Sequence, residues 1–244
     1  MLKLISINIE GSKHFKLFIP FIKSENPDVV CMQEVIKDDI EFLERELGMK
    51  SVFAPQAYHL ILDDVRLVGV AMFSKLPIEN IRKDYYVGNE DHLVHVSRED
   101  MSSAEFHKMI NRAVISADII KGDDIYKIAT THFTWTPEGK STDYQINDLK
   151  ELFRMLDNLG DFVFTGDLNA PRGMKTFSML AEKYKDNIPQ QYDNSLDPNL
   201  HRIKGLKHMV DALFTNGRYE AKNVRLQDGV SDHMAIVAEI YKNA

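Results

Sequence analysis

Six times along the chain a short apolar run opens onto a polar side chain able to hold a cation or move a proton. Residues 4–7 lead to Asn8, residues 29–32 to Gln33 and Glu34, and residues 128–131 to His132. Residues 162–165 lead to Gly166-Asp167-Leu168-Asn169, residues 209–210 to Asp211, and residues 230–231 to Asp232 and His233. Short β-branched runs closed by polar residues read as strands. Strand ends gathered at one edge of stacked sheets converge on a single pocket, so the pattern predicts a β-rich chain with one shared functional rim.

Eight runs read as strands: 2–9, 29–32, 67–73, 113–120, 125–131, 162–165, 209–214 and 235–240. Four segments read as helices: 13–24, stopped by Asn26-Pro27; 37–47, stopped by Gly48; 143–159; and 175–183. Several strands are apolar on both faces, as in residues 29–32, so each sheet must be covered twice, by helices or by another sheet. No low-complexity linker or internal repeat divides the 244 residues, and one domain spanning 1–244 is expected. Two polar connections, 85–108 and 186–207, are candidate substrate loops. His92, His95 and His107 in the first read as incidental loop histidines.

Charge and cysteine content narrow the function classes. Thirty Lys and Arg against 37 Asp and Glu leave a formal charge of −7, which gives no bulk attraction to nucleic acid or to an anionic membrane, so any polyanion must be held locally. The single Cys31 excludes an internal disulfide and any multi-cysteine zinc site within one chain. The N-terminal residues lack the basic region and small-residue cleavage site of a signal peptide. No uncharged run approaches the roughly 18 to 20 residues needed to span a bilayer. A soluble, cytoplasmic protein with no membrane contact and no obligate protein partner is expected. Walker loops, His-Glu-x-x-His, Gly-x-Ser-x-Gly and EF-hand spacings are all absent from the sequence.

Glu34, Asp167, Asp232, Asn8 and Asn169 together offer oxygen ligation without thiolate, which suits Mg²⁺, with Mn²⁺ as a substitute, better than zinc. A hard divalent cation beside histidines fits phosphoester hydrolysis. Each residue also has a plainer reading. Asp167 and Asn169 can simply form a turn, Glu34 can be a strand-end charge near a helix start, and His132 and His233 can be satisfied semi-buried histidines. Asp211 lies within an apolar strand run and needs a partner, for which His233 is the natural candidate.

In chain order, Ser6-Ile7-Asn8, Gln33-Glu34, Thr131-His132-Phe133, Gly166-Asp167-Leu168-Asn169, Val210-Asp211 and Ser231-Asp232-His233 resemble the motifs of the endonuclease/exonuclease/phosphatase superfamily, also called the deoxyribonuclease I-like fold. The resemblance covers nearly the whole chain. It implies an α/β fold: a four-layer αββα sandwich with two mainly antiparallel sheets flanked by helices, carrying a Mg²⁺-dependent phosphoesterase site. Carried over by motif, Glu34 is the principal metal ligand, with Asn8 and Asp232 beside it. Asp167 and Asn169 orient or activate the attacking water, Asp211 orients His233, and His233 stabilises or protonates the phosphoryl oxygens. His132 contacts the scissile phosphate or helps the leaving group. Asn111 and Arg112, which open a strand, and Arg172, after the Gly-Asp-Leu-Asn turn, are candidate substrate-binding residues, with surface pairing as the alternative. Gln145 matches a frequent family position with a structural role. Phe133 and Trp135 can either stack a base or pack in the core.

The abasic-site endonuclease branch begins its motif with Trp-Asn and carries Tyr where this chain has His132, so Ile7-Asn8 and His132 point away from it. The motifs look nearer the tyrosyl-DNA phosphodiesterase, deoxyribonuclease and sphingomyelinase-like branches. The expected activity is therefore phosphodiester hydrolysis in nucleic acid, DNA before RNA, as a nuclease or end-processing enzyme. A basic groove of Lys13, Arg172, Lys175, Arg202, Lys204 and Lys207 would favour that reading. A small-molecule or phospholipid-headgroup phosphoesterase of the same fold is the alternative, favoured by a narrow pocket closed by 85–108. A non-catalytic scaffold ranks last because no core residue is missing.

Overall fold

The computed structural model describes residues 1–61, 64–97 and 104–243. Its elements run β1 (Leu2–Asn8), α1 (Phe15–Glu25), β2 (Val29–Ile36), α2 (Ile40–Leu47), β3 (Lys50–Ile61), β4 (Asp64–Ser74), β5 (Ile78–Val87), β6 (Val94–Val96) and α3 (Ala104–His107). They continue with β7 (Arg112–Lys121), β8 (Asp124–His132), α4 (Asp143–Asp157), β9 (Val163–Asp167), α5 (Lys175–Lys183), β10 (Lys185–Asp186), β11 (Asp211–Thr215), β12 (Tyr219–Gln227) and β13 (Ala235–Lys242).

The strands form a seven-stranded sheet, ordered β12-β13-β1-β2-β4-β3-β6, and a six-stranded sheet, ordered β10-β11-β9-β8-β7-β5. Pairing is antiparallel except for β1 with β2, β3 with β6 and β8 with β9. Period-2 side-chain alternation sorts the core into three layers. Leu2, Leu4, Val29, Cys31, Val70 and Met72 of one sheet meet Ile115, Ile128, Val163 and Leu213 of the other. The opposite faces, such as Ile5, Ile7, Val30 and Met32, pack under α1 and α2 through Phe18, Ile22 and Leu43. Phe164, Ala129 and Phe214 pack under α4 and α5 through Leu149, Leu152, Leu156 and Phe177. The result is the expected helix–sheet–sheet–helix sandwich.

Helix starts and stops follow local chemistry. Thr142 caps α4 by accepting from the Gln145 N–H, α1 ends on Asn26 in a left-handed conformation just before Pro27, and α2 ends on left-handed Gly48. The expected helix at 37–47 divides into a 3₁₀ turn, Lys37–Asp39, followed by α2. The strands not anticipated are β3, β5, β6, β10 and β12. β5 and β12 are edge strands rich in charge, β5 largely exposed and β12 mostly half-buried, and β3 carries a proline and a register shift between Pro55 and Ala57, which hides its alternation. Part of the expected loop 85–108 is the end of β5, then β6 and α3, while its residues 98–103 lie outside the described residues. Among the described residues no helix is long and apolar enough to cross a membrane.

Candidate active site

The same alternation that builds the inter-sheet core aims the site. In β1, Leu2 and Leu4 point between the sheets, so Asn8 follows on that face at the strand end. Ile128 sets the parity of His132 in β8, Val163 that of Asp167 in β9, and Leu213 that of Asp211 in β11. Register then brings the ends together: Asn8 lies opposite Gln33, His132 opposite Asp167, and Asp211 opposite Asp167.

Two of the six polar runs are strand starts rather than strand ends. Asp211 heads β11, and Asp232-His233 precede β13. Antiparallel neighbours explain this, because a strand that begins at the rim presents its first residue where its partner presents its last.

Glu34 breaks the alternation. A register shift between Met32 and Val35 and a positive φ of 57° at Glu34 swing its carboxylate to the rim, and the Gly11 N–H donates to its carbonyl at 3.2 Å. Such a left-handed residue costs about 1–3 kcal/mol and persists where the surroundings over-determine it. Gly166 answers a different demand. With φ of 146°, a Cβ there would sit 2.0 Å from the Thr131 carbonyl oxygen, so only glycine lets β8 and β9 approach closely.

Asp167 is the hub. Its Oδ2 accepts from Asn8 Nδ2 at 3.1 Å and lies 3.5 Å from His132 Nε2 and 3.8 Å from His233 Nε2. Its Oδ1 accepts the Asn169 N–H at 2.8 Å, and Asn169 Nδ2 donates to the Phe133 carbonyl at 3.0 Å. Asn8 Nδ2 also donates to Glu34 Oε1 at 3.1 Å, so its amide bridges two carboxylates. His233 Nδ1 lies 2.8 Å from Asp211 Oδ2, which also accepts the Ser195 hydroxyl at 2.7 Å. The expected Asp211–His233 pair is therefore in place, and Ser195 is an addition the sequence did not reveal.

The two histidines are held in opposite protonation states. Burial works against charge on His233, but Asp211 and Asp167 outweigh it and raise its pKa well above the usual histidine value. Burial, the Arg112 guanidinium and the His233 imidazolium push His132 well below that value. His132 is thus neutral, and its approaches to Asp167 and to Glu34, at 3.9 Å, are not ion pairs. Burial and the charges of Asp232 and Asp167 push the Glu34 carboxyl up to about 7, against the pull of Asn8 and His233. With 38% of the Glu34 side chain still open to solvent, carboxylate crowding matters more here than loss of water. Burial and Asp211 raise Asp167, with His233 opposing.

This crowding is what a bound cation relieves. Asp232 also stands within 4.8 Å of ligand atoms on Glu10 and His14, while Asp167, Asp211 and His233 form a second such group. The carboxylate oxygens are hard donors that suit Mg²⁺ or Mn²⁺, whereas the imidazole in each group is a borderline donor, and that of His233 is held charged and has no lone pair to give a metal. Glu10 and His14 were not anticipated. Glu10 lies two residues beyond Asn8, and His14 reaches it four residues later, with Nε2 at 2.9 Å from Glu10 Oε2.

Of the second-tier residues, only Arg112 lies beside the centre. It is buried under the rim and donates to the His132 carbonyl at 3.2 Å. Asn111 is not brought to the rim as a substrate contact. Its amide donates to the carbonyls of Asn89 and, at 2.9 Å, of His92, which ties down that loop. Arg172 is likewise spent on structure, donating to the Tyr192 and Ile188 carbonyls and pairing with Asp186 at 2.7 Å. Gln145 has the expected structural role, bonding the Thr134 and Asn169 carbonyls. Phe133 is buried beside Tyr86, and Trp135 packs on His107 with ring centroids 4.4 Å apart.

A second support missed in the sequence is Asp197, buried in the 186–207 connection. Its Oδ1 accepts the N–H groups of Asn199 and Leu200, and its Oδ2 that of Gly229, while its own N–H donates to the Asp232 carbonyl. Asp197→Ala would strand those donors. We expect it to cost about 3 kcal/mol in folding free energy, read as a lower urea midpoint at unchanged slope. An unaltered midpoint would show that the clip contributes nothing to folding.

A family model described as the endonuclease/exonuclease/phosphatase family matches residues 5–233, from β1 through His233. The chain belongs to that family. No curated protein matches it in sequence. Among solved structures, the human Nocturnin catalytic domain, with a bound sulfate, is similar with a TM-score of 0.74 at 15% identity, covering 99% of this chain and 93% of that one. The mannosyl-6-phosphatase Bt3783 of Bacteroides thetaiotaomicron has a TM-score of 0.70 at 11% identity, covering 99% and 100%. D. rerio TDP2, solved with a single-strand DNA product, has a TM-score of 0.68 at 14% identity, covering 99% of each chain. At these identities the likeness is one of fold. Membership makes the protein a phosphoesterase of this family, whose enzymes typically use divalent metals.

Proposed function

We propose that this protein is a Mg²⁺-dependent phosphodiesterase that hydrolyses nucleic acid, DNA before RNA, by in-line attack of water and without an obligate protein partner. The observation that carries it is the ring of Asn8, His132 and His233 around Asp167 Oδ2, with His233 locked to Asp211. Glu34 and Asp232, with Asn8, Glu10 and His14 beside them, would hold the cation. When bound, that ion supplies neutralisation of phosphoryl charge.

The chain's own residues do the rest. Asp167, a buried carboxylate with a raised pKa, takes the proton from the attacking water, and Asn169 is held beside it by the Asp167 turn. The His233 imidazolium presents its Nε2–H to a phosphoryl oxygen, with Nδ1–H fixed by Asp211. His132, neutral and 3.5 Å from Asp167 Oδ2, offers a hydrogen bond to the leaving oxygen, which departs as the alkoxide and takes its proton from solvent, while Asp167 gives up the proton taken from water once product has left. TDP2, solved with a DNA product, supports the nucleic acid reading. The net charge of −7 and the mannosyl-6-phosphatase neighbour favour the second reading, a small phosphoester substrate on the same site.

The test is hydrolysis of labelled single- and double-stranded DNA, with free and blocked 5′ ends, beside a chromogenic phosphodiester, in Mg²⁺ or in EDTA. We expect DNA cleavage in Mg²⁺ only. Turnover of the chromogenic diester without DNA cleavage would shift the assignment to a small substrate. The raised Glu34 pKa adds a pH signature. Below about pH 7 a cation must displace a proton from Glu34, and above it the carboxylate is already charged. The Mg²⁺ concentration giving half activity should therefore fall about tenfold between pH 6 and pH 8. A flat Mg²⁺ requirement would remove Glu34 from the ligand set.

A further inference from the structure

Residues 198–208, in the connection between β10 and β11, hold Arg202, Lys204 and Lys207 and no acidic residue, within a chain of net charge −7. All three cations are exposed, and among the described residues none of them pairs with a carboxylate. Of the other cations in the expected basic groove, Lys13 is engaged by Glu10 and Arg172 by Asp186. The segment is also tied to the catalytic turn. Leu196 forms a bridge with His233, Met234 N–H donates to the Ser195 carbonyl at 2.7 Å, and Asp197 clips both Gly229 and Asp232. His201 then places its ring 6.4 Å from that of His233, edge to face, so the cationic stretch starts beside the catalytic imidazole.

We propose that 198–208 is a cationic arm that grips the phosphates flanking the scissile one on a polynucleotide strand. The inference rests on the nucleic acid reading and deepens it, because a substrate with a single phosphate gives such an arm nothing to hold. The chemistry is local. An acidic protein cannot recruit a polyanion by its overall field, but three exposed cations without a carboxylate partner, of which Lys204 donates to the Asn199 carbonyl, supply contacts on an anchored segment that displace counterions. A membrane is the weaker fit. Ile203, 53% exposed, is the arm's only exposed large apolar side chain, too little surface to insert beside anionic headgroups.

The test is the triple variant Arg202→Gln, Lys204→Gln, Lys207→Gln, in the full chain with Mg²⁺. For a single-stranded 20-mer, KM should rise about tenfold or more, and the slope of log(kcat/KM) against log[salt] should become shallower by about 2, at roughly 0.7 per lost phosphate contact. Turnover of a chromogenic diester should stay at the wild-type level, which also shows that the site is folded. Equal losses on the 20-mer and the diester, or no change on either, would overturn the arm. A wild-type protein that cleaves only the diester would sink the nucleic acid reading. In that case anisotropy of a labelled 20-mer in EDTA still judges the arm: loss of wild-type binding in the triple variant upholds it, and absence of wild-type binding overturns it. Wild-type binding to phosphatidylserine vesicles but not to the 20-mer, lost in the variant, would overturn it in favour of a membrane contact.

Discussion

His233→Ala is expected to lower kcat by about 10³-fold, with a smaller effect on KM. The argument starts from two carboxylates on one imidazole. Asp211 fixes Nδ1 at 2.8 Å and Asp167 faces Nε2 at 3.8 Å, so the ring is held charged and aimed across the rim. Alanine removes a donor positioned for a phosphoryl oxygen, and it leaves Asp211 and Asp167 without their shared counter-charge. Asp211→Asn should give a milder loss, because Ser195 still bonds the residue while the imidazolium loses its charge partner. The stability consequence has a definite sign. A histidine whose folded pKa is raised stabilises the fold fully below its unfolded value, near 6.5, and loses that contribution as pH climbs through the folded value. The melting temperature of His233→Ala should therefore lie furthest below wild type in mildly acidic buffer, and the gap should narrow towards alkaline pH. Wild-type turnover in the variant would remove His233 from the chemistry.

How much of this was legible in the sequence depends on whether a residue acts through alternation or through a break in it. Asn8, His132, Asp167 and Asp211 follow the parity of apolar neighbours along their strands, and period 2 carries them to the rim without any knowledge of long-range contacts. The sandwich followed for the same reason, since apolar residues on both strand faces require cover on both sides. Glu34 reaches the rim only because a register shift and a left-handed backbone turn it there. Its motif marked it, and its strand periodicity did not. Ser195 carries no local signal, because it acts by bonding Asp211, and Asp197 shows locally only as the start of a turn through Asn199 and Leu200, while its hold on Gly229 is distant in sequence. Asn111 and Arg172 differ in the opposite direction, being held by structure rather than aimed at the rim. Both looked available as polar residues near the right motifs, but loop carbonyls hold the Asn111 amide, and two carbonyls with the Asp186 carboxylate hold the two terminal nitrogens of Arg172. Edge strands β5 and β12 were missed because an exposed strand face has no reason to be apolar.

Asp167→Asn carries the largest expected loss, about 10³- to 10⁴-fold in kcat, and it separates base chemistry from scaffolding. Asn keeps the shape of Asp, and its side-chain oxygen can still accept the Asn169 N–H that closes the turn, so the backbone of the rim has no reason to move. What disappears is a carboxylate able to take a proton from water. The substitution also relieves repulsion: Asp167 is one of the charges that raise Glu34, and burial with Asp211 raises Asp167 itself. Thermal stability should change little while turnover collapses, since the burial and repulsion that the substitution relieves are offset by the attraction to the His233 imidazolium that it removes. The pH profile adds a second readout. In the wild type, kcat should fall on the acid side as Asp167 becomes protonated, at a pH above the ordinary carboxylate range, and the residual activity of Asp167→Asn should lack that limb. A variant with near-wild-type kcat, or one whose acid limb persists unchanged, would move the proton acceptor to another group on the rim and leave Asp167 as the residue that holds Asn8, His132 and Asn169 in register.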